Sequence, residues 1–152
     1  MSKSIPIQSF RIHEEGLARL FGELEAKVME SIWELQDQEP TVQTVCDYLG
    51  PGHNYKTVMT VLNRLVEKGA LTRQRRSRAF IYLPKQSRDA FIGRASRLIF
   101  GGLLRDFGNL AVAQFVESLD EVDPAQLDEL ERLVRERREA QSADAEGNNV
   151  AQ

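Results

Sequence analysis

A chain of 152 residues, 41% hydrophobic and 28% charged, is an ordinary soluble composition with room for one domain of usual size or two small ones. Its longest apolar runs, such as Leu98 to Leu104, are far too short to span a bilayer. The N-terminus, MSKSIPIQSF, lacks the continuous apolar stretch of a secretory signal, so the expected location is cytoplasmic, with no membrane insertion.

A single cysteine, Cys46, excludes an internal disulfide and any thiolate cluster for metal. The formal net charge of −3 is unevenly spread. Residues 54–85 carry +7, from Lys56, Arg64, Lys68, Arg73, Arg75, Arg76, Arg78 and Lys85 against Glu67, while the segments before and after carry −5 each. A basic island of this kind inside an acidic protein is the electrostatic footprint of a nucleic-acid surface.

In chain order, Phe10, Ile12, Leu17, Leu20 and Phe21 suggest a short arm or helix packed on the main domain. The first clear helix spans residues 22–35, where Leu24, Val28, Met29, Ile32, Trp33 and Leu35 recur at three- and four-residue spacing. Trp33 reads as a core side chain. After a turn at residues 37–40, Thr41 is the expected N-cap of a helix over 42–49, with Val42, Val45 and Leu49 inward and Cys46 a partly buried, unreactive thiol. Gly50-Pro51-Gly52 ends it.

The next helix is expected from Tyr55 to Lys68, stopped by Gly69. Val58, Val61, Leu62, Leu65 and Val66 project to one side; Lys56, Thr60, Asn63, Arg64 and Glu67 project to the other, with Thr57 at the flank. Residues 71–75 and 79–83 read as two strands around an arginine-rich turn, apolar on both faces of the second strand and so pinned against helices. Pro84 closes the unit. Beyond it, Ser87 caps a predicted helix through about Asp106, with Phe91, Ala95, Leu98, Ile99, Gly102 and Leu103 as an apolar seam. A second helix covers 110–119, and a third opens at Asp123-Pro124. Residues 141–152 are small and polar, and expected to be disordered.

Three such helices are too thin to bury their own apolar faces. They are expected to pair with a second copy; folding back on the N-terminal unit in a monomer is the alternative. The predicted fold is mainly α with a small β-hairpin wing: a winged helix-turn-helix plus a C-terminal helical dimerisation domain. The divisions are an N-terminal extension (1–21), a winged-helix DNA-binding domain (22–84), a helical dimerisation domain (85–140) and a tail (141–152).

The histidines, His13 and His53, lack a His, Cys or carboxylate partner at ligand spacing, and no phosphate loop or nucleophile elbow is present. No catalytic residue, metal or cofactor is expected. The competing class is a winged-helix adaptor that docks protein partners, but such a module has no need of a basic recognition helix or of four wing arginines.

Residues 22–33, GELEAKVMESIW, resemble the opening of the penicillinase-repressor (BlaI/MecI) family, "LExxVMxxLW". Thr41-Val42 with Val45 and Leu49 resembles its second helix. Residues 55–69, YKTVMTVLNRLVEKG, are similar to its recognition helix, "YxTVxTxLxRLxxKG", and residues 78–84 match its returning wing strand. The resemblance covers about residues 22–138. It implies a homodimeric transcriptional repressor on an inverted-repeat operator of double-stranded DNA, commonly of resistance genes.

It further implies release through a membrane-anchored sensor that triggers cleavage of an Asn-Phe bond, to which Gln114-Phe115 corresponds with glutamine in place of asparagine. The cysteine-rich metal site of copper-responsive relatives has no counterpart here. The expected DNA-binding residues are Thr41, Tyr55, Lys56, Thr57, Thr60, Asn63, Arg64, Arg73, Arg75, Arg76 and Arg78, with Lys56 and Thr60 reading bases and Arg75, Arg76 and Arg78 gripping the backbone or entering the minor groove.

Overall fold

The structure is a computed structural model that describes residue 7 and residues 9–149. The elements run α1 (Ala18–Phe21), α2 (Glu23–Leu35), a 3-10 turn (Gln36–Gln38), α3 (Val42–Leu49), α4 (Tyr55–Glu67), β1 (Leu71–Arg76), β2 (Ala79–Pro84), α5 (Arg88–Phe107), α6 (Asn109–Glu117), a second 3-10 turn (Ser118–Glu121) and α7 (Pro124–Asn149). Two units follow, one to Phe100 and one from Gly101. The first is a winged helix; the second is wholly helical among its described residues.

Local chemistry sets the helix ends. Thr41 and Thr44 form a reciprocal cap on α3: Thr44 N donates to Thr41 Oγ1 at 3.3 Å and Thr41 N to Thr44 Oγ1 at 2.7 Å. Asn54 Oδ1 accepts from Thr57 N at 2.8 Å and opens α4. Gly69, at φ 83°, closes it. Ala70 N donates back to Leu65 O and Gly69 N to Val66 O, two bonds that satisfy carbonyls of the last turn. Ala70 and Leu65 are both buried, which seals that turn and sends the chain directly into the wing.

The core of the first unit lies around α2, which buries Val28, Met29, Ile32 and Trp33. From α4 come Val58, Val61, Leu62 and Leu65, the apolar face expected from its periodicity, with Val66 only half-buried. β1 and β2 pair antiparallel from Leu71↔Pro84 to Arg76↔Ala79, leaving Ser77-Arg78 at the tip with Ser77 at φ 52°. Tyr82 N donates to Pro40 O at 2.9 Å, so the segment before α3 flanks β2 and anchors the wing.

Among the described residues of this unit, one charged side chain is buried. The Glu25 carboxylate is 7% exposed and takes Lys68 Nζ at 3.0 Å, with Arg64 Nη1 at 3.7 Å. An unpaired carboxylate at that depth would be strongly destabilising, and the pairing ties the end of α4 to the start of α2.

The N-terminal arm has a definite place. Leu17 and Phe21 are buried in the core, and Phe21 stacks on Phe91 of α5 with ring centroids 4.9 Å apart. Trp33 meets the same Phe91 at 5.8 Å and donates from Nε1 to Gln86 O at 3.0 Å. Arg88 forks onto Glu30, with Nη2 at 2.9 Å and Nε at 3.0 Å. The entry to α5 is therefore part of the winged-helix core. Ser87 Oγ accepts from Ala90 N at 3.2 Å, as expected of a cap.

The apolar seam of α5 divides. Phe91 and Ala95 are buried, whereas Leu98 and Leu103 are exposed, because the core that receives the first turns ends before the helix does. In the second unit, no described residue of α6 or α7 is buried. Phe107, Leu110 and Val116 are each at least 57% exposed, and Leu133 and Val134 about half.

α7 begins on Asp123, whose Oδ1 accepts from Ala125 N at 3.0 Å. It continues as helix to Asn149, where composition argued for disorder from residue 141. Ala140, Ala143 and Ala145 are strong helix formers and carry the backbone pattern onward without burial. The last three residues of the expected tail, and residues 1–6 and 8 of the expected extension, lie outside the described residues. No helix among the described residues is long and apolar enough to cross a membrane.

Candidate nucleic-acid interface

The outer face of α4 is an exposed strip formed by Tyr55, Lys56, Thr57, Thr60 and Arg64. Capping by Asn54 and burial of Val58 and Leu62 hold the helix so that this strip points to solvent. Thr60 Oγ1 donates to Lys56 O at 2.9 Å, so the hydroxyl proton is used within the helix. What Thr60 then offers outward is an acceptor and a methyl group. Arg64 is 54% exposed, with one guanidinium nitrogen directed at Glu25.

The wing adds a cationic hairpin in which Arg73, Arg75 and Arg76 are each held. Arg73 lies over the Phe80 ring at 4.4 Å and Arg75 over the same ring at 5.7 Å. Arg76 Nη2 pairs with Glu39 Oε1 at 3.3 Å, both side chains more than half exposed. Glu39 has φ 52°, a left-handed conformation at the turn before α3. Arg78 is exposed at the tip. Thr41 is half-buried, its hydroxyl engaged in the α3 cap.

Asn63 differs from its neighbours on α4. Its Oδ1 accepts from Arg73 Nη1 at 3.0 Å and from Tyr82 Oη at 3.1 Å. The geometry thus gathers Asn63, Arg73 and Arg75 around Phe80 and Tyr82. It leaves Lys56 and Thr60 together on the open helix face, and directs Arg64 and Arg76 toward carboxylates.

Sequence reading missed Phe80 and Glu39 as parts of this surface, and Tyr82 as the buried group behind it. Phe80 was expected under helices; it is partly exposed beneath two arginines. A two-residue tip at residues 77–78 dictates the pairs Arg75↔Phe80 and Arg73↔Tyr82, so the register alone carried that signal. Nothing in the sequence places Glu39 beside Arg76, a contact between segments far apart in the chain.

Burial sorts the remaining titratable groups. The Cys46 thiol is pushed up by burial, reinforced by the neighbouring Asp47 carboxylate, which keeps it protonated and inert. The Tyr82 phenol is also pushed up by burial, against the opposing effect of Arg73. Among the described residues no group of three or more His, Cys, Asp or Glu side chains is placed to hold a metal ion.

The chain matches the family model described as penicillinase repressor over residues 21–136, most of its length. It belongs to the penicillinase repressor family. The match starts at Phe21, so within this family member the segment that contributes Leu17 to the core lies outside the shared region.

The chain is 38% identical over 78 residues to "Transcriptional regulator BlaI" of Mycobacterium tuberculosis, in strains CDC 1551 / Oshkosh and H37Rv alike. That alignment covers 50% of this chain and 55% of the relative. It is 30% identical over 81 residues to "Penicillinase repressor" of Bacillus licheniformis, covering 53% of this chain and 62% of that protein. The chain thus spans little more than half the length of the curated relatives it matches.

Gln114 and Phe115 lie within α6. Ser118 N donates to Gln114 O and Ser118 Oγ to Phe115 O at 2.6 Å, so both carbonyls flanking the sequence-predicted scission are held in helical geometry.

Proposed function

We propose that this member of the penicillinase repressor family is a homodimeric, sequence-specific DNA-binding transcriptional repressor. α4 enters the major groove of each half of an inverted repeat, and the wing holds the flanking backbone. The observation that carries this reading is the +7 island, set on the exposed strip of α4 and on the hairpin beside it. The names of the relatives, a transcriptional regulator and a penicillinase repressor, support it.

In this reading Lys56 and Thr60 meet base edges. An exposed cation suits guanine O6 and N7, and the outward Thr60 methyl suits the thymine methyl. Tyr55, Thr57 and Arg64 border them, Arg75, Arg76 and Arg78 meet phosphates, and Thr41 presents an amide-rich helix start to the backbone. Residues 22–84 form the DNA-binding domain and 85–140 the dimerisation domain, with a second copy covering the exposed apolar residues from Leu103 onward. Cytoplasmic localisation follows from the DNA partner.

The signal side of the proposal is cleavage at Gln114-Phe115 downstream of a membrane-anchored sensor, controlling a resistance or stress response. Proteolysis there requires α6 to open locally, since a protease reads an extended strand.

Selection of bound duplexes from a random pool tests the reading: a palindromic sequence is expected, and a pool without preference points instead to an adaptor for protein partners. Lys56→Ala is expected to lose about 1–3 kcal/mol of discrimination at one base pair per half-site while retaining general DNA affinity. Glu39→Gln is expected to tighten binding about two- to fivefold by freeing Arg76, because an exposed ion pair is worth no more than about 1 kcal/mol. Titrations of the selected duplex with each variant measure both effects.

A further inference from the structure

The helix of this interface and its wing share one acceptor atom. Asn63 Oδ1 receives Arg73 Nη1 and Tyr82 Oη together, at 3.0 and 3.1 Å. An arginine can only donate, so the amide atom facing it is the oxygen, and its two lone pairs are both engaged. Arg73 and Tyr82 are cross-strand partners in the β1–β2 ladder, and Arg73 is also seated on Phe80. Tyr82 is only 2% exposed, so a duplex lying on the protein surface cannot contact its ring.

We propose that Asn63 is a positioning residue that locks the wing to the recognition helix, and that the buried Tyr82 hydroxyl governs the grip on DNA through it. This rests on the reading of the chain as a DNA-binding repressor. In this reading Arg73 also meets a phosphate. A free arginine loses much rotamer freedom on doing so, and one held beforehand by an acceptor and an aromatic face, as Arg73 is, loses less. The same oxygen sets how far β1 stands from α4, and hence which phosphates the wing meets.

The test is a set of variants of the full chain: Asn63→Ala, Tyr82→Phe, the double substitution, and Asn63→Asp with and without Tyr82→Phe. Each is titrated with the duplex that the wild type selects from a random pool, at several salt concentrations, with a hydroxyl-radical footprint. Phenylalanine keeps the buried ring and leaves no unpaired hydroxyl, so thermal unfolding of Tyr82→Phe is expected to stay close to wild type. Asn63→Ala strands that hydroxyl and is expected to unfold at a lower temperature while remaining folded in the titrations.

Asn63→Ala takes the acceptor from Arg73, and Tyr82→Phe takes away the hydroxyl that orients that acceptor. Each is expected to bind about tenfold more weakly, the worth of about one hydrogen bond. The wing portion of the footprint should fade and base preference should stay unchanged. The Asn63→Ala, Tyr82→Phe double should be no weaker than the weaker single. Aspartate keeps the acceptor, so Tyr82→Phe should weaken the Asn63→Asp protein about as much as it weakens the wild type.

Tyr82→Phe binding like wild type, or penalties that multiply in the double with alanine, would overturn the proposal. So would a changed base preference with Asn63→Ala alone, which would make Asn63 a base reader. A wild-type protein that selects no duplex overturns the repressor reading itself, and is distinguishable from all of these.

Discussion

Phe91→Ala is expected to lower the stability of the protein by about 3–5 kcal/mol, the usual loss when a fully buried aromatic ring is truncated. Phe91 is 1% exposed and packs on both Phe21 and Trp33. Its removal leaves a void that rigid neighbours cannot fill, since Trp33 is pinned by its bond to Gln86 O. It also takes away the ring on which the N-terminal arm is stacked. Urea unfolding followed through Trp33, the single tryptophan, measures the loss at a fixed protein concentration.

Limited proteolysis gives the second readout: residues 9–21 should become cleavable under native conditions well before the wing does. Arg97→Ala, on an exposed position of the same helix, should stay within about 0.5 kcal/mol of wild type. A Phe91→Ala protein as stable as wild type would mean that α5 and the arm do not share the winged-helix core.

Replacing Arg75, Arg76 and Arg78 together with alanine is expected to remove most of the proposed DNA affinity, by about two orders of magnitude per subunit near 0.15 M salt. Each phosphate contact releases condensed counterions and contributes about 0.9 to the slope of log affinity against log salt, so the slope should fall by about 2.7 per subunit. The three side chains are exposed, and the hairpin is held by its ladder and by Ile81 and Tyr82, which are buried. Folding should therefore survive. Base preference among selected duplexes should be retained, because α4 is untouched. An unchanged salt slope would remove the wing from the interface.

The contrast between these two variants follows what was legible in the chain. The helices announced themselves through local rules: Val58, Val61, Leu62 and Leu65 through their spacing, Thr41 and Asp123 through their caps, and Gly69 through a closure that needs a left-handed residue. The winged-helix order and the basic island were readable for the same reason. Each depends on neighbours within a turn or two, and charge is additive along the chain.

Non-local pairings were not readable. That Phe21 stacks on Phe91, that Arg76 meets Glu39, and that Asn63 is shared by Arg73 and Tyr82 depend on how elements dock. Asn63 shows the limit best. Periodicity placed it correctly on the outer side of α4, as one more polar residue of that face. Only the distance from α4 to the hairpin turned its oxygen toward the wing.

The split of the α5 seam has the same origin, since Phe91 and Leu98 are alike as sequence and differ only in whether a core lies opposite them. The sequence by itself therefore determined the elements, the winged-helix order and the cationic strip, because these follow from local propensity, period and charge. The tertiary structure alone decided which of those cations stand open and which are held, because a side chain's partner is chosen by packing between distant segments.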